Sequence, residues 1–210
     1  MLYFFNVHYS ILSDKKSKEL FSLRKDTFKD RLNWAVNCHC NMEFDEYDNH
    51  NTSYLLGVHD NSIICSSRFI EMKHPNMITG TFFSYFNQIN IPEGNYIESS
   101  RFFVDKARAK STNCNRYPIS LMLFLAMINY SKEYCYDGIF TIVSAPMIKI
   151  LRRSGWRISI AEQGLSEKKE KIYLVHLPID DENRDILISR INENNSITNK
   201  ELNKWPLSFN

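Results

Sequence analysis

Apolar residues recur at helical spacing in three stretches of the sequence. The first lies between Asp14 and Leu32, where Asp14 is the predicted N-cap and the apolar stripe comprises Leu20, Leu23, Phe28 and Leu32. In the second stretch, Pro118 opens a helix that ends before Gly138. In the third, Pro146 opens a helix that Gly155 ends. The pattern therefore predicts three helices.

Alternating and short continuous apolar runs predict the strands. Residues 54–58 and 64–70 alternate between apolar and other positions, and the sequence HDNS between them is typical of a turn, so the two runs predict a hairpin. Further strands are predicted at YIESSRFFV (residues 96–104), IFTIVS (139–144), WRISI (156–160) and KIYLVHL (171–177). Strands interleaved with helices indicate an α/β (α+β) fold with one central sheet.

The composition changes once along the chain. Up to about residue 178 the 210-residue sequence shows no repeat and no linker, and its length suits one ordinary domain. After Pro178 the sequence becomes rich in Asn and charged residues, with room for one short helix, and it closes with the apolar run WPLSF. We therefore predict one domain over residues 1–178 and an exposed, charged and Asn-rich C-terminal tail over residues 179–210.

Charge and hydropathy argue against several classes of protein. Lys and Arg total 26 against 24 Asp and Glu, so we do not expect a nucleic-acid-binding protein, which must neutralise many phosphates. No apolar run approaches the roughly 18 residues of a spanning helix, so we expect no membrane insertion. The N-terminus carries no export signal and the five cysteines are scattered, so we expect reduced thiols and a cytoplasmic location.

Four carboxylates lie close together in the segment NMEFDEYDNH, namely those of Glu43, Asp45, Glu46 and Asp48. An isolated acidic cluster is more often a solvated loop than a site. The aromatic residues Phe28 and Trp34 precede this segment, however, and aromatic faces beside carboxylates suit a positively charged ligand. The segment therefore remains open between a solvated loop and a site for a cation or an amine.

Glu98 and Arg101 interrupt an otherwise apolar strand, where burying an unpaired charge is costly. They could form structural ion pairs with Arg68 or Asp48. Alternatively, Glu98 could act as a base, because an apolar environment raises the pKa of a carboxyl group. The spacing alone leaves both interpretations open.

Two stretches of the chain are basic, residues 101–116 and residues 149–157. Each could be a solvated face or a surface that docks an acidic partner. A metal site is not expected, because the Cys and His residues at positions 38–40 and 50 lack the spacing of zinc ligands. The sequence also has no G-x-S-x-G motif and no Gly-rich phosphate loop.

Eight polar and aromatic positions together resemble the pattern of the LuxI-type acyl-homoserine lactone synthases, enzymes that make a diffusible quorum-sensing signal. The stretches that carry them are LRKDTFKDRLNW, MEFDEYD, CSSRF and ESSRFFVDKARA, in the family's order and spacing. The resemblance continues through PNMITGTF, YPISLMLFLAM, TIVSAPMIKILRRSGW and KIYLVHLP, and covers nearly the whole chain before residue 178. The eight positions are Arg24, Phe28, Trp34, Asp45, Asp48, Arg68, Glu98 and Arg101.

The resemblance implies a fold similar to that of the GNAT acetyltransferases, a mixed, twisted central sheet flanked by helices with a V-shaped cleft. Members of that fold that use coenzyme A carry a Gly-containing loop after the long central strand, and its backbone N–H groups hold a pyrophosphate. Here the corresponding stretch is DKARAKSTNCNR, which contains no glycine. The expected acyl donor is therefore the phosphopantetheine arm of acyl carrier protein.

The resemblance also implies the reaction and the roles of the charged residues. The amine of S-adenosylmethionine attacks the acyl thioester, and the methionine carboxylate then displaces methylthioadenosine to close the lactone. S-adenosylmethionine is thus a substrate, and no cofactor is expected. Glu98 is the expected base, acting through a water. Asp45, Asp48 and Arg68 are expected to order the cleft and hold the amino and carboxylate ends of S-adenosylmethionine. Arg101 is expected to act structurally, bracing either Glu98 or an acidic partner.

Three further residues, Arg24, Phe28 and Trp34, are expected to bind S-adenosylmethionine, with the two aromatic rings facing the sulfonium and the adenosine. The basic residues expected to dock acyl carrier protein are Lys149, Arg152 and Arg153.

Two alternatives remain open: an ordinary GNAT-like N-acyltransferase, and a non-catalytic module that binds an acidic protein. The absence of a Gly loop argues against the first, and the complete acidic and aromatic set argues against the second.

The acyl chain is expected in an apolar tunnel lined by Phe69, Met127, Thr141 and Val143. In the family, Thr at the position of Thr141 accompanies 3-oxoacyl donors, because its hydroxyl can hydrogen-bond the 3-oxo group. Alternatively, the Thr141 hydroxyl forms its hydrogen bond with the backbone of the short strand. The bulk of Phe69 and Met127 predicts a short chain such as 3-oxohexanoyl.

Overall fold

The computed structural model describes residues 1–193 and 197–208 of the chain. Its helices are α1 (Asp14–Arg24), α2 (Lys106–Ser111), α3 (Ile119–Glu133), α4 (Ala145–Arg153), α5 (Asp181–Asn192) and α6 (Asn199–Leu202). Its strands are β1 (Tyr3–His8), β2 (Cys38–His39), β3 (Met42–Glu43), β4 (Thr52–His59), β5 (Ser62–Glu71), β6 (Tyr96–Val104), β7 (Gly138–Ser144), β8 (Ser159–Leu165), β9 (Lys171–Leu177) and β10 (Leu207–Ser208). Of the helices in this part of the chain, none is long and apolar enough to span a membrane.

Eight strands form one mixed sheet in the order β10-β1-β4-β5-β6-β7-β9-β8. The pairs β1–β10 and β6–β7 are parallel, and the other pairs are antiparallel. The predicted hairpin is confirmed as β4 and β5, joined by Asp60 and Asn61 with positive φ values of 46° and 60°. The predicted α/β class with one central sheet is also confirmed.

The two faces of the sheet carry different covers. On one face, α3, α4 and α5 pack into a large apolar core that includes Leu123, Leu151 and Leu187. On the other face, α1 covers the end of the sheet near β4, with Leu20 packed in the same cluster as Tyr54. The segment at residues 78–91 covers the end near β7 and β9 on that second face. Between these two covers, Tyr47 and Met77 pack on Ile70 of β5 on the same face.

Strands β6 and β7 separate to form a V-shaped cleft. They pair only over residues 96–98 and 138–140, and the last matched positions are Glu98 and Phe140. Beyond this point β6 remains paired with β5, and β7 remains paired with β9. Glu98 therefore lies at the apex of the cleft, which opens toward the carboxyl ends of the two strands.

Two predicted elements differ in detail from the observed ones. The α-helix predicted over residues 14–32 ends at Arg24 and continues as a π-helix over Lys25–Arg31, and Ser13, not Asp14, provides the N-cap. The strand predicted at residues 156–160 begins only at Ser159. Trp156 is instead buried, and its Nε1 donates to the carbonyl oxygen of Pro178 at 2.8 Å. Tertiary packing of the indole thus overrides the local strand pattern.

The C-terminal segment is packed, so the prediction of an exposed tail is wrong for the described residues. The predicted short helix is α5, whose Leu187 and Ile191 are fully buried in the α3 core. Further on, Trp205 packs against Phe4 with ring centroids 5.1 Å apart, and β10 extends the sheet beside β1. The apolar positions lie among charged residues, which conceals them in the composition. The domain boundary at residue 178 stays a prediction, and residue 209 of WPLSF lies outside the described residues.

Candidate active site

Glu98 is a buried carboxyl group at the apex of the cleft, and its pKa is raised. Its side chain is only 1% exposed, and its Oε2 atom has no hydrogen-bond partner among the described residues. Burial raises the pKa of Glu98 to about 7, although Arg68 and a hydrogen bond with Ser100 act in the opposite direction. A carboxyl group with a pKa near neutrality and a free oxygen at a cleft apex is suited to exchange a proton with a bound molecule.

Three arginines and three carboxylates form a buried network beside Glu98. Arg24 donates from Nε to Glu43 at 2.5 Å and from both Nη atoms to Asp48 at 2.7 and 2.9 Å. Arg101 donates from Nε to Glu43 at 3.0 Å and from Nη2 to Asp45 at 2.8 Å. Each carboxylate thus accepts hydrogen bonds from charged donors, which offsets the cost of burying it.

Arg68 connects this network to Glu98. It donates from Nε to the hydroxyl of Ser100 at 3.0 Å and from Nη1 to Asp45 at 2.5 Å. The other guanidinium nitrogen, Nη2, is buried and has no hydrogen-bond partner within the described part of the chain. Arg68 and Glu98 lie on the same sheet face of neighbouring strands, since Arg68 is opposite Ser100. The apex therefore presents one unpaired donor and one unpaired acceptor.

Local backbone features bring the charged groups together. Arg24 is the last residue of α1, and Glu43 follows the β2–β3 turn, where Cys40 and Asn41 have positive φ values. A register shift between β5 and β6 accompanies the positive φ of 53° at Arg101. Such a bulge redirects a side chain from its place in the strand alternation. The bulge thereby directs Arg101 toward Glu43.

The network fixes the charge state of its members. Burial alone would raise the pKa of Asp48, but Arg24 and Arg68 outweigh burial and hold that pKa well below its usual range. Similarly, Arg24 and Arg101 lower the pKa of Glu43 against the effect of burial. These carboxylates therefore stay ionised at neutral pH, whereas Glu98 titrates. The site thus places one proton-exchanging carboxyl group, Glu98, beside two carboxylates, Asp48 and Glu43, that stay ionised.

An aromatic wall leads from the network to the surface. Phe28 is buried, lies 5.6 Å from the guanidinium carbon of Arg101, and meets Phe103 edge-on. Trp34 stacks on Phe28 with centroids 5.1 Å apart and is 41% exposed. The wall thus presents an accessible indole face beside the cleft, a surface suited to a cation or to a flat ring.

The residues predicted to form the acyl tunnel lie on the opposite face of the sheet from Glu98. Phe69, Met127 and Val143 belong to the same apolar core, and Thr141 is buried on that face of β7. Phe69 stacks on Tyr130 with centroids 4.9 Å apart, and both rings border a polar cavity of about 140 Å³ whose lining includes three histidines. The role of these residues in chain binding stays a prediction.

The predicted docking residues are exposed on α4, which follows the β7 arm of the cleft directly. Lys149, Arg152 and Arg153 all lie at the surface. At the end of the other arm, Asp105 caps α2 and accepts hydrogen bonds from the backbone N–H groups of Ala107 and Arg108 at 2.9 and 3.0 Å. The N–H groups at the start of this helix are thus already occupied by a carboxylate.

Several members of the site were not identified from the sequence. Glu43 was recognised only as one of four clustered acids, yet it is fully buried and joins Arg24 to Arg101. The hydroxyl of Tyr54 donates to Asp48 at 2.7 Å. Conversely, Arg24 is buried with every hydrogen bond directed to the network, and its predicted contact with S-adenosylmethionine stays a prediction. In the described residues no cluster of His, Cys, Asp or Glu is arranged to hold a metal ion.

Comparison with known proteins identifies close relatives. Residues 8–187 match the family model described as autoinducer synthase. An acyl-homoserine-lactone synthase of Pectobacterium carotovorum subsp. carotovorum is 66% identical over 207 residues, which is 99% of this chain and 96% of that protein.

Solved structures show the same fold. The crystal structure of the acyl-homoserine lactone synthase LasI matches with a TM-score of 0.78 at 21% identity, over 90% of this chain and 95% of that one. The coenzyme-A-dependent synthase BjaI, solved with S-adenosylmethionine and isopentyl-CoA, gives a TM-score of 0.77 at 18% identity, over 91% and 90% of the two chains. At such identities the likeness concerns the fold, and the predicted GNAT-like architecture is confirmed.

Proposed function

The chain belongs to the autoinducer synthase family and is an acyltransferase of the acyl-homoserine-lactone synthase type, and we propose that it joins a short 3-oxoacyl chain from acyl carrier protein to S-adenosylmethionine. The product would be an acyl-homoserine lactone, released together with methylthioadenosine.

The observation that carries the proposal is the pair of unpaired atoms at the cleft apex. Glu98 Oε2 can accept a hydrogen bond, and Arg68 Nη2 can donate one. An α-amino acid presents the complementary groups, an amine that donates and a carboxylate that accepts. Leaving both protein atoms unsatisfied in a buried site is costly, which favours a ligand that satisfies them together. The methionine portion of S-adenosylmethionine is such a ligand.

In the first step, the amine must lose a proton to attack the thioester. Glu98, directly or through a water, accepts that proton, and its pKa of about 7 leaves a usable fraction ionised at neutral pH. The new C–N bond forms as the C–S bond of the thioester breaks, and the proton passes on to the departing thiolate. Asp45 accepts a hydrogen bond from Arg68, Asp48 lies 3.1 Å from Arg68 Nη1, and Arg101 in turn donates to Asp45, so Arg68 stays in place during this step.

In the second step, the methionine carboxylate attacks the carbon next to the sulfonium. The new C–O bond closes a five-membered ring as the C–S bond breaks, and methylthioadenosine leaves as a neutral thioether. No general base is needed, because the nucleophile is already ionised, so positioning supplies the acceleration. Trp34 and Phe28 are proposed to face the sulfonium and the adenosine from the wall of the cleft.

The capped start of α2 supports acyl carrier protein as the donor. A pyrophosphate of coenzyme A bound there would have to displace the Asp105 carboxylate from two backbone N–H groups, and it would meet that negative charge. The phosphopantetheine arm of a carrier protein has no such pyrophosphate. The exposed bases of α4 (Lys149, Arg152, Arg153) are proposed to dock this acidic protein at the β7 side of the cleft.

The core beyond β7 supports a short acyl chain. Thr141 is proposed to hydrogen-bond the 3-oxo group, and Met127 and Val143 to enclose the methylenes. The stacked rings of Phe69 and Tyr130 separate this core from the polar cavity behind them. A chain long enough to pass these rings would place methylenes in polar surroundings, which favours 3-oxohexanoyl over long chains.

A donor comparison tests the proposal. The purified protein is incubated with S-adenosylmethionine and matched 3-oxohexanoyl, hexanoyl and decanoyl thioesters of carrier protein or coenzyme A, and lactone and methylthioadenosine are measured by mass spectrometry. We expect equal amounts of the two products and a higher kcat/KM for 3-oxohexanoyl carrier protein than for every other donor. Faster turnover of coenzyme A thioesters would contradict the donor assignment, and a preference for the decanoyl chain would contradict the tunnel assignment.

A further inference from the structure

The turn between β8 and β9 reaches across the mouth of the cleft. β9 begins beside the end of β7, since Ser144 is paired with Ile172, so the turn lies at the open end of the V. From this turn, Lys168 Nζ donates a hydrogen bond to the carbonyl oxygen of Asn33 at 2.6 Å. Asn33 directly precedes Trp34 on the opposite side of the cleft. The contact therefore joins the two sides of the cleft through residues 135 positions apart.

The segment that carries Trp34 is otherwise held by local contacts. It follows the end of the π-helix without regular structure, and Asn33 has a positive φ of 51°. The backbone N–H of Trp34 donates to the carbonyl of Phe28 at 2.8 Å, and that of Asn33 donates to Lys29 at 3.0 Å. These bonds fix the start of the segment but leave the indole 41% exposed. A contact from the far side of the cleft adds a constraint that the segment does not supply itself.

The turn can act as an anchor because it is held in place. The hydroxyl of Tyr85 donates to Glu167 at 2.7 Å, which joins the turn to the segment covering the β7 side of the sheet. Gly164, just before the turn, packs so closely on that segment that a Cβ atom would lie 2.2 Å from the carbonyl oxygen of Tyr85. Within the turn, the backbone N–H of Lys169 donates to Ser166 at 2.8 Å. Lys168 is thus held in place from the β7 side of the cleft, across from the side that carries Trp34.

We propose that Lys168 is a positioning residue for Trp34. By tying the carbonyl of Asn33 across the cleft mouth, it holds the indole against Phe28 and toward the space between the two strands. This inference rests on the proposed function in one respect: Trp34 is proposed there to contact S-adenosylmethionine. Loss of the tether should therefore weaken the binding of S-adenosylmethionine and leave the binding of the acyl donor unchanged. Because the contact is exposed, we expect an effect of about fivefold, the upper range for exposed charged contacts.

Fluorescence quenching measures the tether without any substrate. Of the three tryptophans, Trp156 and Trp205 are buried, so acrylamide quenches mainly Trp34, and Trp34→Phe verifies this assignment. We expect Lys168→Met to increase quenching and to raise the KM for S-adenosylmethionine about fivefold with kcat and the donor KM unchanged. Lys168→Arg should keep both the quenching and the KM for S-adenosylmethionine at the levels of the unmodified protein, since it retains a charged donor. Lys169→Met removes the same charge from the neighbouring position and should have no effect.

The outcomes separate the tether from the substrate assignment. The proposal would be overturned if acrylamide quenched Lys168→Met no more than the unmodified protein. It would also be overturned if Lys169→Met increased the quenching as much as Lys168→Met does. Increased quenching with an unchanged KM would support the tether, and would instead contradict the contact between Trp34 and S-adenosylmethionine. A purely structural role would lower the unfolding midpoint and alter kcat along with KM, which would also overturn it.

Discussion

Replacing Glu98 by Gln should remove most acylation activity and at the same time abolish a loss of stability that the unmodified protein undergoes as the pH rises from about 4.5 to about 7. Burial raises the pKa of Glu98 to about 7 from an ordinary value of 4.5, despite the opposing charge of Arg68. The folded protein therefore holds this proton more tightly than the unfolded chain does. Unfolding releases the proton between these two pH values, so the contribution of Glu98 to stability falls as the pH rises through this window.

The size of the effect follows from the two pKa values. At 1.36 kcal/mol per pKa unit, the full window corresponds to about 3 kcal/mol, and the part between pH 5.5 and pH 8.5 to about 2 kcal/mol. The Gln side chain of Glu98→Gln cannot ionise, so the variant does not lose this unfolding free energy as the pH rises. The low pKa values of Asp48 and Glu43 affect both proteins equally and cancel in the comparison.

Urea unfolding at pH 5.5 and 8.5 measures this difference for the unmodified protein and for Glu98→Gln. The variant should gain about 2 kcal/mol relative to the unmodified protein on going to the higher pH, whatever its stability at the lower one. Glu133→Gln, at the exposed end of α3, controls for the loss of one carboxylate. A relative gain near zero, or a gain equal to that of the control, would refute the assignment of Glu98 as a buried, proton-holding carboxyl.

Further predictions concern the network, the docking face and the acyl chain. Arg24→Met leaves two buried carboxylates with lost partners and should destabilise the fold by about 3–5 kcal/mol in urea unfolding, whereas a loss below about 1 kcal/mol would show that the network contributes little. Charge reversal at Lys149 and Arg153 should raise the KM for acyl carrier protein and its sensitivity to salt but spare that for S-adenosylmethionine, and unchanged donor kinetics would place docking elsewhere. Thr141→Val should lower the preference for 3-oxoacyl over unsubstituted donors by about 1–3 kcal/mol in competition assays, and an unaltered ratio would exclude the hydroxyl as the determinant.

The sequence predicts those parts of the site that depend on neighbours along the chain. Strand β6 was predicted with its observed bounds because aromatic and β-branched residues lie at both of its ends, and Glu98 was conspicuous because it is a charged residue within the strand. The β4–β5 hairpin was predicted because its turn residues tolerate positive φ. In each case, a local conformational preference agrees with the final packing.

The remaining parts depend on contacts that sequence spacing does not contain. Glu43 resembles its exposed neighbours in composition, and only the β2–β3 turn together with the end of α1 brings it between two arginines. The bulge that redirects Arg101 occurs at a non-glycine residue, so no turn-forming residue marks it. The C-terminal helix has its buried apolar positions spread among charges, and its packing on α3 becomes evident only in three dimensions.

The most direct test of the account is the rate of acylation in a single turnover by folded Glu98→Gln. Excess enzyme is mixed with S-adenosylmethionine and 3-oxohexanoyl carrier protein, and amide formation is followed by rapid quench and mass spectrometry between pH 6 and 8.5. The account predicts a rate that increases through about pH 7 in the unmodified protein and falls about a hundredfold or more in the variant, as loss of a general base does. A variant that acylates at a near-normal rate would contradict the central claim that Glu98 accepts the proton of the attacking amine.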